Sequence, residues 1–228
     1  VFKQADALAA AGFEVTLVGI VQKASDASEE QQGPVRLVRV RTTKHLHAER
    51  AADGAPAPGS ASAEATSGAL GFFAGVRTFL GRMRDNRLLA AVALTAQPDV
   101  VIVSDILTLS AGHQLKRLLG IPLVLDVRDL VLDSGGNLAS SYAWLLGRLE
   151  RRLIRTVDAI TTVSPHIGEI LGERFPDAPR AVAIYSGAFE AVPQPRPPAA
   201  PLRLFFQGRI VPNRRLDELI QAMAIVGD

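Results

Sequence analysis

Four short apolar runs rich in β-branched residues constrain the fold of this chain more than any other feature. They occupy residues 98–105, 123–129, 158–164 and 181–184, and stretches with helical periodicity separate them at residues 108–119, 140–155 and 165–175. The first run is unbroken in its β-branched centre, which predicts a strand buried on both faces, as in parallel sheets. The alternation of strand and helix therefore predicts a doubly wound, Rossmann-like α/β domain with a parallel sheet.

The beginning of the chain fits the same architecture. Apolar residues from Phe2 to Ala9 have helical spacing, Gly12 suits a helix C-terminus, and a buried strand is predicted over 13–20. A helix that leads directly into such a strand is normally the second half of a βαβ unit. We therefore expect the preceding strand, with its glycine-containing loop, to lie outside this sequence. Since the first residue is Val1, we expect the chain to be shortened at both ends.

The region up to residue 94 contains less regular segments. A polar loop is predicted over 23–32, an alternating strand over 35–40, and a flexible excursion over 51–71, where Ala, Gly, Ser and Pro dominate. The helix that follows has one apolar stripe flanked by arginines, and its residues are Phe72, Phe73, Val76, Phe79, Leu80 and Met83, with Arg77, Arg82 and Arg84 beside them. This stripe indicates either a core-packing helix or a surface that contacts an anionic membrane.

Composition excludes several classes of site. The 228 residues carry a formal net charge of only +2 and lack a dense Lys/Arg stripe with interleaved aromatics, so nucleic acid is not an expected partner. The absence of cysteine excludes disulfides and thiolate metal sites and is compatible with a cytoplasmic location. His45 and His47 alternate but have no third ligand nearby, so no metal site is predicted. We expect no signal peptide, and the given sequence contains no apolar run of membrane-spanning length.

The most informative motif lies near the C-terminus. Residues 193–201 carry five prolines, which predicts a stiff linker. The apolar run 204–206 that follows the linker predicts a buried strand. Gly208 then permits a sharp turn, with Arg209 and Arg214 at the two ends of a loop that leads into a helix. Backbone N–H groups at a helix N-terminus favour an anion, and two guanidinium groups add fork-shaped donors.

This motif resembles the opening of the C-terminal domain in glycosyltransferase family 4, whose members have the GT-B fold. The resemblance rests on the run from Gly208 through Pro212 and Arg214 to Ala222, and it extends over nearly the whole chain. In that family a Gly-Arg pair and a basic residue five positions later hold the diphosphate of a nucleotide-sugar donor. The basic residue is usually Lys followed by Gly, whereas here Arg214 is followed by Arg215.

The resemblance also points to a reaction centre after the second of the four runs. The residues Asp126-Val127-Arg128-Asp129-Leu130 are similar to the Arg-Asp-Leu version found in bacterial polysaccharide-type members. Other members have His at the Arg128 position, close to the transferred sugar. Arg128 is thus the first candidate catalytic residue and Asp129 the second, although both could equally serve as scaffold. Ser164 matches a serine common in the family, and it could instead cap the next helix.

The resemblance implies three segments and one activity. Residues 1–192 would form the acceptor-side Rossmann-like domain, 193–201 the linker, and 202–228 the start of a truncated nucleotide-sugar-binding domain. The implied enzyme is a hexosyltransferase-like glycosyltransferase of polysaccharide biosynthesis in the bacterial cytoplasm or at the inner face of the plasma membrane. It would transfer a sugar, with retention of configuration, from a nucleotide-diphosphate sugar to a glycan or lipid-linked acceptor. No cofactor is expected beyond the donor itself.

Two other functions remain open at this stage. A nucleotide-sugar epimerase would share the fold, and a truncated, non-catalytic binding module would share the sequence features. A nicotinamide dehydrogenase is disfavoured because no Gly-x-Gly-x-x-Gly follows any predicted strand.

Overall fold

A computed structural model of the chain describes residues 2–21, 27–41, 69–133, 140–185, 187, 205–207 and 214–226. The chain divides into two compact units, Val1–Tyr185 and Ser186–Asp228, which are considered separately below. The predicted linker over 193–201 lies outside the described residues, and so do His45, His47 and residues 51–68 of the predicted flexible excursion. The predicted domain boundaries at 192 and 202 therefore stay a prediction.

The first unit alternates strands and helices as the sequence indicates. Its helices are α1 (Phe2–Ala10), α2 (Ala69–Leu94), α3 (Asp105–Leu119), α4 (Ser140–Leu153) and α5 (Pro165–Arg174), and a 3₁₀ turn (Ile154–Thr156) continues α4. Its strands are β1 (Val15–Ile20), β2 (Glu29–Gln32), β3 (Val35–Val40), β4 (Val101–Ser104), β5 (Leu123–Val127), β6 (Ala159–Thr162) and β7 (Ala181–Ala183). In the second unit, α6 (Leu216–Val226) is described.

The strands form two sheets. One is parallel throughout, in the order β4-β5-β6-β7, and the other has the order β1-β3-β2 with β1 parallel to β3. Strands β4, β5 and β6 are each followed by a helix that returns the chain to the start of the next strand, as the βαβ connection requires. The predicted Rossmann-like α/β class is therefore confirmed.

Strand β2 is a correction to the predicted polar loop over 23–32. It pairs antiparallel with β3, although all four of its residues are exposed. The two-residue turn before β3 contains Gly33, whose φ of +56° suits a hairpin turn. Glu29 pairs with Arg36 at 2.6 Å and Glu30 with Arg39 at 2.7 Å. An edge strand needs no apolar residues when backbone hydrogen bonds and cross-strand ion pairs stabilise it. The polar composition of residues 29–32 therefore led to the wrong prediction of a loop.

Burial of the strands also differs from the prediction in two places. Strand β4 was expected to be buried on both faces, yet Ile102 is 47% exposed while its neighbour Val103 is buried. Strand β1, also predicted to be buried, is half-buried along its whole length. Within the described part of the chain, each of these strands has a ladder partner on one side only. A strand at the edge of its sheet has one side open to solvent, and its side chains are covered less completely than those of a central strand.

The core of the first unit lies between the four-stranded sheet and its helices. Its main cluster contains Leu109 of α3 and Leu123, Leu125 and Ile160 of the central strands. A second cluster joins Val40 of β3 to residues of α2 and α3, and its partly buried members include residues of both sheets, namely Val18, Ile20 and Val101. Helices α2 and α3 therefore contact both sheets.

Helix α2 begins at Ala69, so the last three residues of the predicted excursion are helical. Its apolar stripe is divided between core and solvent. Phe79 packs against Tyr142 and Leu146 of α4, and Val76 and Met83 are half-buried. By contrast, the exposed side chains are Phe72 (55% exposed), Phe73 (66%) and Leu80 (61%).

A buried carboxylic acid lies on the inner side of α4. Glu150 is 7% exposed, and burial raises its pKa to about 7. The positive charges of Arg174 and Arg151 lower the pKa of Glu150, and the negative charge of Asp133 raises it, but burial has the largest effect. Arg174 itself donates to Asp133 at 2.6 Å. The acid therefore carries a desolvation cost that its neighbours do not remove.

The second unit does not form the buried strand predicted at 204–206. Residues 205–207 are outside any strand, and Phe205 is 87% exposed. A strand needs a neighbour for its backbone hydrogen bonds, and within the described part of this unit only the helix α6 is regular. The prediction of a buried strand is wrong for the described residues.

Candidate active site

The candidate site lies at the carboxyl end of the four-stranded sheet, where ligands bind in doubly wound folds. Ser104 at the end of β4 is in register with Asp126 of β5, and Asp126 is in register with Thr161 of β6. The chain leaves these strands through Asp105 and Arg128. Polar side chains from three neighbouring strands thus meet along one edge.

Asp126 is the buried anchor of this edge. It is only 2% exposed, and a buried carboxylate must find polar partners. The Thr161 hydroxyl donates to its Oδ1 at 2.8 Å, and the Gln4 amide donates to its Oδ2 at 3.1 Å. Because Gln4 belongs to α1, this bond places the first turn of α1 at the same edge. The sequence motif includes Asp126 but does not predict a role for it. An acidic residue inside an apolar strand nevertheless indicates a buried carboxylate with polar partners.

Asp105 fixes the backbone that follows β5. Its carboxylate oxygen Oδ1 accepts the backbone N–H of Arg128 at 2.9 Å and, more weakly, that of Asp129 at 3.4 Å. Its own φ is +58°, an uncommon value that Asp tolerates better than most residues. Strained backbone of this kind occurs preferentially at functional sites. The helix α3 begins here, three residues earlier than the predicted Thr108.

Arg128, the first predicted catalytic residue, lies between the two carboxylates. Its Nη2 is 3.8 Å from Asp105 Oδ2 and its Nε is 4.0 Å from Asp126 Oδ2, so both are ion pairs rather than direct hydrogen bonds. About 38% of the side chain is exposed, and the buried Nε has no hydrogen-bond partner among the described residues. A guanidinium has five N–H donors. The two acids therefore orient Arg128 and leave donors for a ligand.

Asp129 and Ser164 have different surroundings. The side chain of Asp129 is exposed beside Arg128, and its contact with Asp105 comes through its backbone N–H. Ser164 follows β6 and caps α5, since its hydroxyl accepts the backbone N–H of Ile167 at 3.3 Å. The alternative of a capping role for this serine is therefore seen in the structure. His166 in the same turn is exposed, with its ring 3.6 Å from Glu169.

The residues predicted to bind the diphosphate belong to the second unit. Gly208 and Arg209 lie outside the described residues. Arg214 is exposed and stands two residues before α6. Arg215 has a φ of +51° and its Nε donates to Glu218 Oε1 at 2.6 Å, so this arginine is held in an ion pair within the helix start. The two neighbouring arginines therefore differ in their local contacts.

The described residues include no cluster of three or more His, Asp or Glu side chains that could hold a metal ion. In the same part of the chain, no helix combines the length and the apolar character needed to cross a membrane.

Comparison with known proteins gives the site its context. The sequence profile of the glycosyl transferase 4-like domain matches residues 1–187, which is most of the chain. The chain belongs to this family. The matched region contains Asp105, Asp126 and Arg128, and it ends before Gly208. A comparison with curated protein sequences finds no match.

Solved structures share the fold of this glycosyltransferase domain. Two structures of sucrose-phosphate synthase from Thermosynechococcus elongatus superimpose with TM-scores of 0.55 and 0.56 at 15% and 16% sequence identity. They cover 83% and 82% of this chain, and the chain covers 84% of the shorter structure but only 41% of the longer one. At such identity the likeness establishes the GT-B fold alone. The chain spans less than half of the longer relative.

Proposed function

We propose that this glycosyltransferase belongs to family 4 and transfers a sugar from a nucleotide-diphosphate sugar to a glycan or lipid-linked acceptor, with retention of configuration. The observation that carries the proposal is the position of Arg128 at the carboxyl end of the sheet, oriented by Asp105 and Asp126. The family match over residues 1–187 supports the general reaction. The donor, the acceptor and the stereochemistry follow from the sequence resemblance.

The chemistry explains why arginines suit this reaction. Breaking the bond between the anomeric carbon and the diphosphate develops positive character on the sugar and negative charge on the leaving group. The N–H groups of Arg128 that are unpaired in the described part of the chain would donate hydrogen bonds to oxygens of the nucleotide sugar beside the transferred sugar. Asp129 is exposed next to it and would orient an acceptor hydroxyl.

The leaving diphosphate would be held by the second unit. The sequence motif predicts a turn at Gly208 and guanidinium donors from Arg209 and Arg214 in the loop before α6, where the helix dipole would also favour an anion. Two such cations can stabilise the leaving group without a metal ion. This role rests on the sequence motif, and the exposure of Arg214 is compatible with it. We place the reaction in the bacterial cytoplasm and in polysaccharide biosynthesis, in keeping with the resemblance and the absence of cysteine.

Calorimetry of the full-length gene product with a panel of UDP-, GDP- and ADP-sugars tests this function. We expect saturable binding of one nucleotide class, and release of free nucleotide diphosphate only when an acceptor glycan is added. Conversion of the donor sugar to its epimer without an acceptor would identify an epimerase instead. Binding of no nucleotide sugar at all would leave a binding module as the better description.

A further inference from the structure

The exposed side of α2 repeats aromatic or aliphatic residues and arginines at helical spacing. Phe73, Arg77, Leu80 and Arg84 follow the pattern i, i+4, i+7, i+11, which places them on one side of the helix, and all four are exposed. The core-facing residues of α2 lie on another side, where Asn86 and Leu89 are buried. The exposed residues are therefore not needed to pack the helix.

Helix α4 presents the same pattern. Trp144, Arg148, Arg151 and Arg155 again follow i, i+4, i+7, i+11 from α4 into the 3₁₀ turn, and all four are exposed. The guanidinium of Arg148 lies over the Trp144 ring, 5.1 Å from its centroid. Such a pair presents an apolar ring and a cation at one place on the surface.

The two helices lie side by side, and both patterns are exposed to solvent. The Ser141 hydroxyl at the start of α4 donates to the backbone oxygen of Phe72 near the start of α2 at 2.8 Å. Further along, an open groove of about 580 Å³ lies between the helices. Its apolar lining comes from Phe79, Leu145 and Leu149, and its polar lining consists of four arginines, at positions 148, 151, 152 and 155. We call the two patterns and the groove the aromatic–arginine face.

The charge of this face is strongly one-sided. Helix α2 contains four arginines and one aspartate, and α4 contains three arginines and one glutamate, which is the buried Glu150. The net charge of the whole chain is only +2, so positive charge is concentrated here. Exposed aromatic rings beside arginines also occur where proteins contact a membrane interface.

We propose that the aromatic–arginine face docks on an anionic lipid bilayer, with the rings inserted between head groups and the arginines paired with lipid phosphates. Charge complementarity favours this occupant, because the arginines are spread along both patterns rather than gathered in one central cluster, as a protein hot spot would have. The inference goes beyond the proposed function and does not depend on it, since vesicle binding requires no sugar nucleotide.

Trp144 provides a direct test because it is the only tryptophan of the chain. On addition of vesicles of phosphatidylcholine mixed with phosphatidylglycerol, we expect its emission to shift to shorter wavelength and the protein to co-sediment. Vesicles of phosphatidylcholine alone should give neither effect, and high salt should release the protein. A wavelength that stays unchanged with anionic vesicles would overturn the proposal.

Matched double variants separate this face from general charge attraction. The variant Arg77→Glu/Arg148→Glu should weaken binding at least about 25-fold, from roughly fivefold for each arginine near the surface. The control Arg117→Glu/Arg180→Glu changes the net charge equally at exposed positions outside both patterns, and should weaken binding less than about threefold. The pair Arg77→Lys/Arg148→Lys should retain most of the binding because it keeps the charge.

Two further results would overturn the proposal. Equal losses in the face variant and the control would show that only net charge matters. Self-association without lipid, measured by sedimentation velocity and abolished by the face variant, would identify a second copy of the chain as the occupant. Phe73→Ser should weaken binding about tenfold, because it removes one inserted ring without changing any charge. Unchanged circular dichroism of each variant confirms that it is folded.

Discussion

The contacts of Asp105 predict how four residues at this position should rank in stability. Asp105 accepts a hydrogen bond of 2.9 Å from the Arg128 backbone and a weaker one of 3.4 Å from Asp129. A hydrogen bond to a charged group contributes about 1.5–3 kcal/mol, and the longer bond adds little. Against this, the φ of +58° costs about 1–2 kcal/mol for a residue with a Cβ, less for Asp and Asn and nothing for Gly.

These terms give a definite order for the substitutions. Asp105→Ala loses the acceptor and keeps the strain, so we expect a loss of roughly 2–3 kcal/mol. Asp105→Gly loses the acceptor but relieves the strain, which limits the loss to about 1–2 kcal/mol. Asp105→Asn keeps an acceptor oxygen and tolerates the backbone, so its stability should stay within about 1 kcal/mol of the parent.

Denaturant unfolding measures this order, and sugar transfer by the full-length enzyme separates stability from function. Asp105→Asn loses the negative charge that attracts Arg128 across 3.8 Å. We therefore expect its kcat/KM to fall about tenfold although the protein remains nearly as stable as the parent. If Asp105→Gly were more stable than the parent, the two backbone hydrogen bonds would contribute nothing. If Asp105→Asn were fully active, Asp105 would not position Arg128 through its charge.

Two further predictions concern the core. Because the pKa of Glu150 is raised to about 7 in the folded protein, the free energy of unfolding should fall as pH rises from about 4.5 to about 7. Denaturant unfolding at several pH values should show that Glu150→Gln removes this dependence and stabilises the protein by up to roughly 3 kcal/mol at about pH 8. The control Glu169→Gln, at an exposed position, should change nothing. A Cβ added at Gly112 of α3 would lie 2.6 Å from side-chain atoms of Val103 and Leu123, so Gly112→Ala should destabilise the protein by about 1–2 kcal/mol. Gly172→Ala on α5, where the space is open, should stabilise it by up to about 1 kcal/mol. A change in unfolding free energy of the same sign for both variants would contradict the packing argument.

Much of the fold could be predicted because its signals are local. The apolar runs around Val103, Leu125 and Ile160 became parallel strands, and Gly12 and Gly120 follow helices at φ values of +92° and +69°. Strand β2 could not be found from hydrophobicity, since its hydrogen bonds and ion pairs come from β3. Partners distant in sequence decide whether a polar segment becomes an edge strand.

The candidate site was predicted in part for the same reason. Arg128 was found through its motif and its place after a strand. The roles of Asp105 and Asp126 depend on contacts across 23 and 35 residues, respectively, to Arg128 and Thr161, which no local pattern encodes. Asp105 directly follows an apolar strand, which predicts its place at the carboxyl end of the sheet, but its positive φ and its two backbone hydrogen bonds needed coordinates.

The most direct test of the account compares alanine substitutions at Arg209, Arg214 and Arg215 in the full-length enzyme. A guanidinium that binds a leaving phosphate contributes on the order of 1.5–3 kcal/mol, so Arg209→Ala and Arg214→Ala should each lower kcat/KM by roughly ten- to a hundredfold or more. Arg214→Lys should retain more activity than Arg214→Ala. Arg215 is held by Glu218, and Arg215→Ala should change kcat/KM only slightly. Equally small effects from all three alanine substitutions would contradict the diphosphate clamp.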